Sequence, residues 1–144
     1  MFQKFELRAE ARQIALQAVF PPQLPPVRAD LGMIARVLGN LLDNALRHVP
    51  ESGSVRIALA PSASGADVEI TVSDTGPGIP AELREGLFQR PFTVGGARRD
   101  GGLGLRIVHR ILELHGRSIE LIDVPGQGAS FRFALAVARQ RESA

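Results

Sequence analysis

Between Leu31 and Val49 the apolar residues stand at positions 31, 34, 38, 41, 42, 45 and 49, a spacing that a helix gathers onto one face. Asp30 precedes the run as an N-cap, and His48, Pro50 and Gly53 mark its end. A helix with one apolar stripe needs a second layer to cover it. The flanking stretches supply that layer, because their apolar residues recur with period two. Gln13 to Phe20, Ser54 to Ala60, Asp67 to Ser73, Ser118 to Val124 and Ala129 to Val137 read as strands. In the first, Ile14, Leu16 and Ala18 share a face, and Pro21, Pro22, Pro25 and Pro26 then forbid regular pairing. Pro61 to Gly65 has hairpin length, and Gly126-Gln127-Gly128 turns the last two strands. A second amphipathic helix runs from Gly102 to His115 on Leu103, Ile107, Val108, Ile111 and Leu112, with Gly116 as its stop. A short helix is expected from Pro80 to about Leu87. Residues 1–12 read as a helical lead-in from a preceding helix, with a partner face outside this stretch; the domain proper is expected over 13–144. Strands and amphipathic helices together give an expected fold class of α/β.

Composition removes whole classes of chemistry. A length of 144 residues suits one domain. With 44% hydrophobic and 22% charged residues it is globular, and no apolar run approaches the roughly 20 residues that span a bilayer. The chain has no cysteine, which excludes disulfides and thiolate metal sites and suits a reducing, cytoplasmic setting. Net charge is only +2, so no nucleic-acid partner is expected. The single lysine is Lys4; all other basic residues are arginine. That excludes the Walker A loop and the eukaryotic-type kinase pocket, each of which places a lysine on the phosphates.

Three places carry chemistry that does not need lysine. Asn40 and Asn44 lie one helical turn apart, with Arg47 and His48 on the next turn. Asparagine costs a helix about 0.5–0.7 kcal/mol against alanine, so two in mid-helix suggest a use for their amides, although solvent alone could satisfy them. A carboxamide oxygen is a hard neutral ligand suited to Mg²⁺. The second place is Asp74-Thr75-Gly76-Pro77-Gly78-Ile79-Pro80. Val68, Ile70 and Val72 share a strand face, and the same parity turns Asp74 into the apolar layer, where a carboxylate needs a donor such as an adenine amine. The plainer reading is an Asx turn onto Gly76. A dinucleotide fingerprint is rejected, because no acidic-ended strand follows about 20 residues on. The third is Asp100-Gly101-Gly102-Leu103-Gly104-Leu105, glycines running into a helix whose free N–H groups and dipole form an anion site. The Gly- and Arg-rich residues 88–102 before it read as a loop reserved for function.

The order of these motifs is more specific than any one of them. Asn40-x-x-x-Asn44, Asp74-x-Gly76-x-Gly78, Phe88-x-x-x-Phe92, Gly102-Leu103-Gly104-Leu105 and Gly126-x-Gly128 together resemble the catalytic ATP-binding domain of bacterial sensor histidine kinases, of the GHKL superfamily and the Bergerat-type fold, over about residues 13–137. The resemblance implies a two-layer sandwich, a mixed sheet of about five strands with three helices on one face, and ATP and Mg²⁺ as cofactors. It implies that Asn44 holds Mg²⁺ with Asn40 beside it, and that Arg47 and His48 touch the phosphates, making Asn40, Asn44 and Arg47 the catalytic set. Asp74 would take the adenine amine, Gly76 and Gly78 would shape the pocket floor, and Ile79 would belong to the nucleotide site. Phe92, Gly102, Leu103, Gly104, Leu105 and Ser130 would complete the nucleotide site, and residues 80–101 would form its lid. Two positions depart from the pattern. Asp100 stands where a glycine is usual, and Ala129 where a Thr or Ser often follows, leaving Ser130, Thr71 or Ser73 to supply a hydroxyl near adenine.

Hydrolysing relatives in the superfamily carry Glu where this chain has Asn40, and an amide cannot act as a general base. The resemblance therefore implies transfer of the γ-phosphoryl group to a histidine. His48, His109 and His115 lack the setting of an acceptor, so that histidine is expected on a separate dimerisation domain. A response regulator would act downstream, and any membrane attachment would come from other parts of a longer protein. A GHKL ATPase and a non-catalytic ATP-sensing module are the alternatives.

Overall fold

The computed structural model describes residues 2–76, 93–94, 97–98, 101–122 and 128–138. Helix α1 (Phe2–Ala11) leads into β1 (Ala15–Val19), α2 (Leu31–His48) and the hairpin β2 (Ser54–Pro61) and β3 (Asp67–Asp74). A two-residue antiparallel pair follows, β4 (Thr93–Val94) with β5 (Ala97–Arg98). The chain then forms α3 (Gly101–Leu114), β6 (Glu120–Ile122) and β7 (Ser130–Ala136). The main sheet has the order β1-β2-β3-β7-β6, with β1 parallel to β2 and every other pair antiparallel. The expected mixed five-strand sheet and two-layer α/β architecture are thus present. The helix expected over Pro80 to Leu87, Gly78, Ile79, Phe88 to Phe92, Asp100 and Gly126-Gln127 lie outside the described residues, as does most of 80–101.

Alternation along the strands builds the core. Val55 and Ile57 of β2, Val68, Ile70 and Val72 of β3, and Phe131, Phe133 and Leu135 of β7 are buried on one face. They meet Val37, Leu41, Leu42, Ala45 and Leu46 of α2 and Leu105, Val108 and Leu112 of α3, each burial contributing about 1.5–3 kcal/mol. Helix α2 packs on both α1 and α3 as well as on β2 and β3, so the residues it carries sit at the centre of the molecule. Its ends form as the sequence requires: Asp30 accepts the Met33 N–H at 2.9 Å, and the Val49 N–H caps Ala45 O. Gly116, at φ +68°, ends α3 in the left-handed conformation that glycine adopts without strain.

Three expectations need correction. Gln13 has φ +56° and belongs to a turn, so the first strand starts at Ala15; being the sheet edge, it leaves Ala18 exposed rather than in the apolar face. Leu31, the first residue of α2, is exposed rather than part of the buried stripe. The first helix does have a partner face inside this domain: Phe5 and Ala9 are buried in the core, while Leu7 is 70% exposed. The proline-rich stretch forms no strand, as expected; an isolated bridge joins Val27 to Val137, and the Pro26 carbonyl accepts from the Ala138 N–H. No helix among the described residues is long and apolar enough to cross a membrane.

Candidate nucleotide site

At the end of β3 the pleat turns Asp74 toward the helices, as its parity with Val68, Ile70 and Val72 requires. Asp74 is 7% exposed. Its Oδ1 accepts the Gly76 N–H at 2.8 Å and the Ala129 N–H at 3.4 Å, and its own N–H donates to Ala129 O at 2.9 Å. The Asx turn and the buried carboxylate are therefore the same object: one oxygen shapes the turn. No donor among the described residues reaches Oδ2. Burial pushes the Asp74 carboxyl above its ordinary value; the two N–H donors and the nearby His48 pull it back only in part.

This turn is packed against β7 with no space to spare. A Cβ on Gly128 would lie 2.4 Å from Asp74 O, 2.5 Å from its Oδ1 and 2.6 Å from Gly76 N. A Cβ on Gly76 would lie 2.9 Å from both Asp74 Oδ1 and His48 O. Glycine at these positions brings three distant segments, the end of α2, the end of β3 and the start of β7, to one point.

Helix α2 supplies the second part of the site. Asn44 is 3% exposed, and its Oδ1 is the one buried side-chain polar atom without a hydrogen-bond partner among the described residues. Leaving such an atom unpaired costs about 1–3 kcal/mol, which folding tolerates where the atom has another use. Asn40 is half-buried, and its Nδ2 donates to Gly104 O at 3.4 Å in the first turn of α3. The Asn-bearing helix and the Gly-rich helix start are thus in contact. Arg47 is exposed, with Nε 3.0 Å from Asp43 Oδ2, and His48 is half-buried at the C-terminal turn.

The other expected site residues divide. Gly102, Leu103 and Gly104 lie in the first turn of α3, where N–H groups are free of helical partners. Leu105 is core, so its contribution is to anchor that turn. Ser130 is buried, and its hydroxyl donates to Ser73 Oγ at 3.0 Å. Ser73 alternates with Asp74 and pairs with Ser130 in register, which puts both hydroxyls on the opposite side of the sheet from the carboxylate. Gly78, Ile79 and Phe92 are outside the described residues. Sequence reasoning missed the contribution of Ala129, a backbone N–H rather than a side chain, and the pairing of Asp43 with Arg47 and Arg8.

Cavities of about 430 and 460 Å³ lie elsewhere among the described residues, beside Arg117 and Arg132 and between Met33 and Ile107. Neither contains an orphaned buried polar atom.

A family described as histidine kinase-, DNA gyrase B-, and HSP90-like ATPase matches residues 29–139. The chain is 39% identical over 134 residues to the adaptive-response sensory kinase SasA of Synechococcus sp. (strain JA-3-3Ab), a match covering 92% of this chain and 35% of that protein. It is 40% identical over 136 residues to the alginate biosynthesis sensor protein KinB of Pseudomonas aeruginosa, covering 94% of this chain and 22% of KinB. The chain therefore spans about a third or less of the length of these relatives. Among solved structures, the catalytic domain of histidine kinase ThkA superimposes with a TM-score of 0.81 at 29% identity, covering 94% of this chain and 88% of that one. Full-length ShkA, solved in complex with AMPPNP, gives 0.78 at 31% identity, covering 96% of this chain and 30% of that one.

Proposed function

Because this chain belongs to the family of histidine kinase-, DNA gyrase B- and HSP90-like ATPases, and so to a family of ATP-binding domains, we propose that it is the catalytic part of a sensor histidine kinase. The observation that carries this reading is Asp74: a buried carboxylate with one oxygen fixed by two N–H groups and the other without a donor among the described residues, which suits a donor such as the adenine amine.

The orphaned Asn44 oxygen fits Mg²⁺, which accepts a neutral carboxamide and completes its shell with water and phosphate. Asn44 would hold the ion, with Asn40 beside it. When bound, Mg²⁺ neutralises charge on the phosphate oxygens. The chain's own groups orient and stabilise. Asp74 fixes the base, the N–H groups at the start of α3 face the phosphates, and Arg47 offsets their charge. Asn40 ties these parts together through Gly104 and, as an amide, takes no proton from water. The nucleophile suited to such a site brings its own lone pair. An imidazole nitrogen on a separate dimerisation domain attacks the γ-phosphorus as the bond to the bridging oxygen breaks, ADP leaves, and a phosphohistidine remains for a response regulator.

The chain alone should bind Mg²⁺-ATP, release phosphate negligibly and fail to label itself. With a helical domain bearing the acceptor histidine it should yield a phosphoryl adduct that is labile in acid and stable in alkali. Rapid phosphate release by the chain alone would favour the ATPase reading instead.

A further inference from the structure

Asp43 lies on α2 between the two asparagines, yet it faces a different way. At 100° per residue Asn40, Asn44 and Arg47 fall within about 60° of arc, and Asp43 lies about 40° beyond Arg47. From there its two oxygens are divided. Oδ2 accepts from Arg47 Nε at 3.0 Å, and Oδ1 accepts from Arg8 Nη1 of α1 at 2.9 Å. Arg8 is itself held, its guanidinium 5.7 Å from the ring centre of Phe5, which is buried and reaches α2 beside Gly39. Farther along, Arg12 of α1 donates to Val49 O at 2.8 Å and to Leu46 O, the orphan carbonyls at the C-terminus of α2.

We propose that Asp43 is a positioning residue of the nucleotide site, fixing the direction of Arg47 and making that direction depend on α1. The inference rests on Arg47 serving the phosphates. A carboxylate with both oxygens engaged cannot rotate to follow Arg47, so the arginine must come to it. The bond is to Nε, at the root of the guanidinium, and so sets the plane in which both Nη groups lie. The side chains of Arg8, Asp43 and Arg47 are all partly exposed, and such pairs add little to stability. Their value is orientation, because each bond to a fixed acceptor narrows the rotamers that an arginine side chain samples.

Charge alone predicts the opposite sign, and this makes the inference testable. Asp43→Asn removes a negative charge close to a polyanion, which by itself tightens ATP binding. Positioning predicts weaker binding of ATP by calorimetry, about three- to tenfold, with adenosine unchanged because it has no phosphates. Asp43→Glu, which keeps the acceptor, should recover part of the loss. Arg8→Ala should weaken ATP binding by a smaller factor in the parent chain and have no effect in Asp43→Asn. If Asp43→Asn binds ATP as well as the parent or more tightly, or if ATP and adenosine weaken together, positioning is overturned. An equal effect of Arg8→Ala in both backgrounds would overturn the link to α1. Failure of the parent chain to bind ATP at all would instead overturn the function proposed above.

Discussion

The carboxylate of Asp74 loses hydration on entering the helix-facing layer, and only part of that loss is returned by Gly76, Ala129 and His48. Its folded-state pKa therefore stands above the ordinary value near 3.8, and the folded chain binds this proton more tightly than the unfolded chain. The sign follows: between the ordinary value and the raised one, this group subtracts stability as pH rises. Asp74→Asn keeps an oxygen for the two N–H donors and removes the buried charge. Thermal denaturation should show the variant gaining on the parent as pH rises from about 4 towards 7, while ATP affinity falls by about 1.5–3 kcal/mol in calorimetry. Asn44→Ala should behave similarly for another reason. It replaces a buried amide whose oxygen is unpaired by a better helix former, so stability should hold within about 1 kcal/mol while Mg²⁺ ceases to enhance nucleotide affinity. The sequence carried a clear signal for both residues, because each is a polar side chain breaking an apolar pattern. It carried none for Asp43, whose i,i+4 partner is visible in the chain but whose second partner lies 35 residues away.

The elements differ in how openly the sequence declares them. Helices α2 and α3 are legible because each buries one stripe and ends in local chemistry, an Asp30 cap and a Gly116 stop. The edge strand β1 is less so: with one neighbour and no cover beyond it, burial stops following alternation. The packing of α1 was illegible, since its apolar residues are few and their partner helix lies farther along the chain. Likewise Gly128 reads as an ordinary turn glycine, and only the folded chain reveals the notch it fills. Gly128→Ala should cost about 2–4 kcal/mol in chemical denaturation and abolish ATP binding, because either Asp74 or β7 must move. Gly32→Ala, whose added Cβ meets nothing closer than 3.5 Å in the exposed first turn of α2, should stabilise by about 0.5–1 kcal/mol and leave binding unchanged.

Across the whole molecule, the layer order and the motif order were both readable, because each depends on residues close in sequence. What brings the motifs into one site was not, because it depends on the pairing of β3 with β7. That pairing has a consequence for how the molecule comes into being. The β2–β3 hairpin joins neighbours and closes over a short loop, whereas Ser73 and Ser130 are 57 residues apart and Asp74 and Ala129 are 55. Closing so long a loop is entropically costly, and contacts of this range tend to form late on the way to the native state. If this seam closes late, then on the proposed role of Asp74 a nucleotide finds nothing to recognise until the transition state has been passed. Saturating ATP should then lengthen the lifetime of the native state without hastening its formation. In stopped-flow denaturant jumps the unfolding arm should drop with added nucleotide while the refolding arm stays where it was; acceleration of refolding would mean that β3 and β7 meet early.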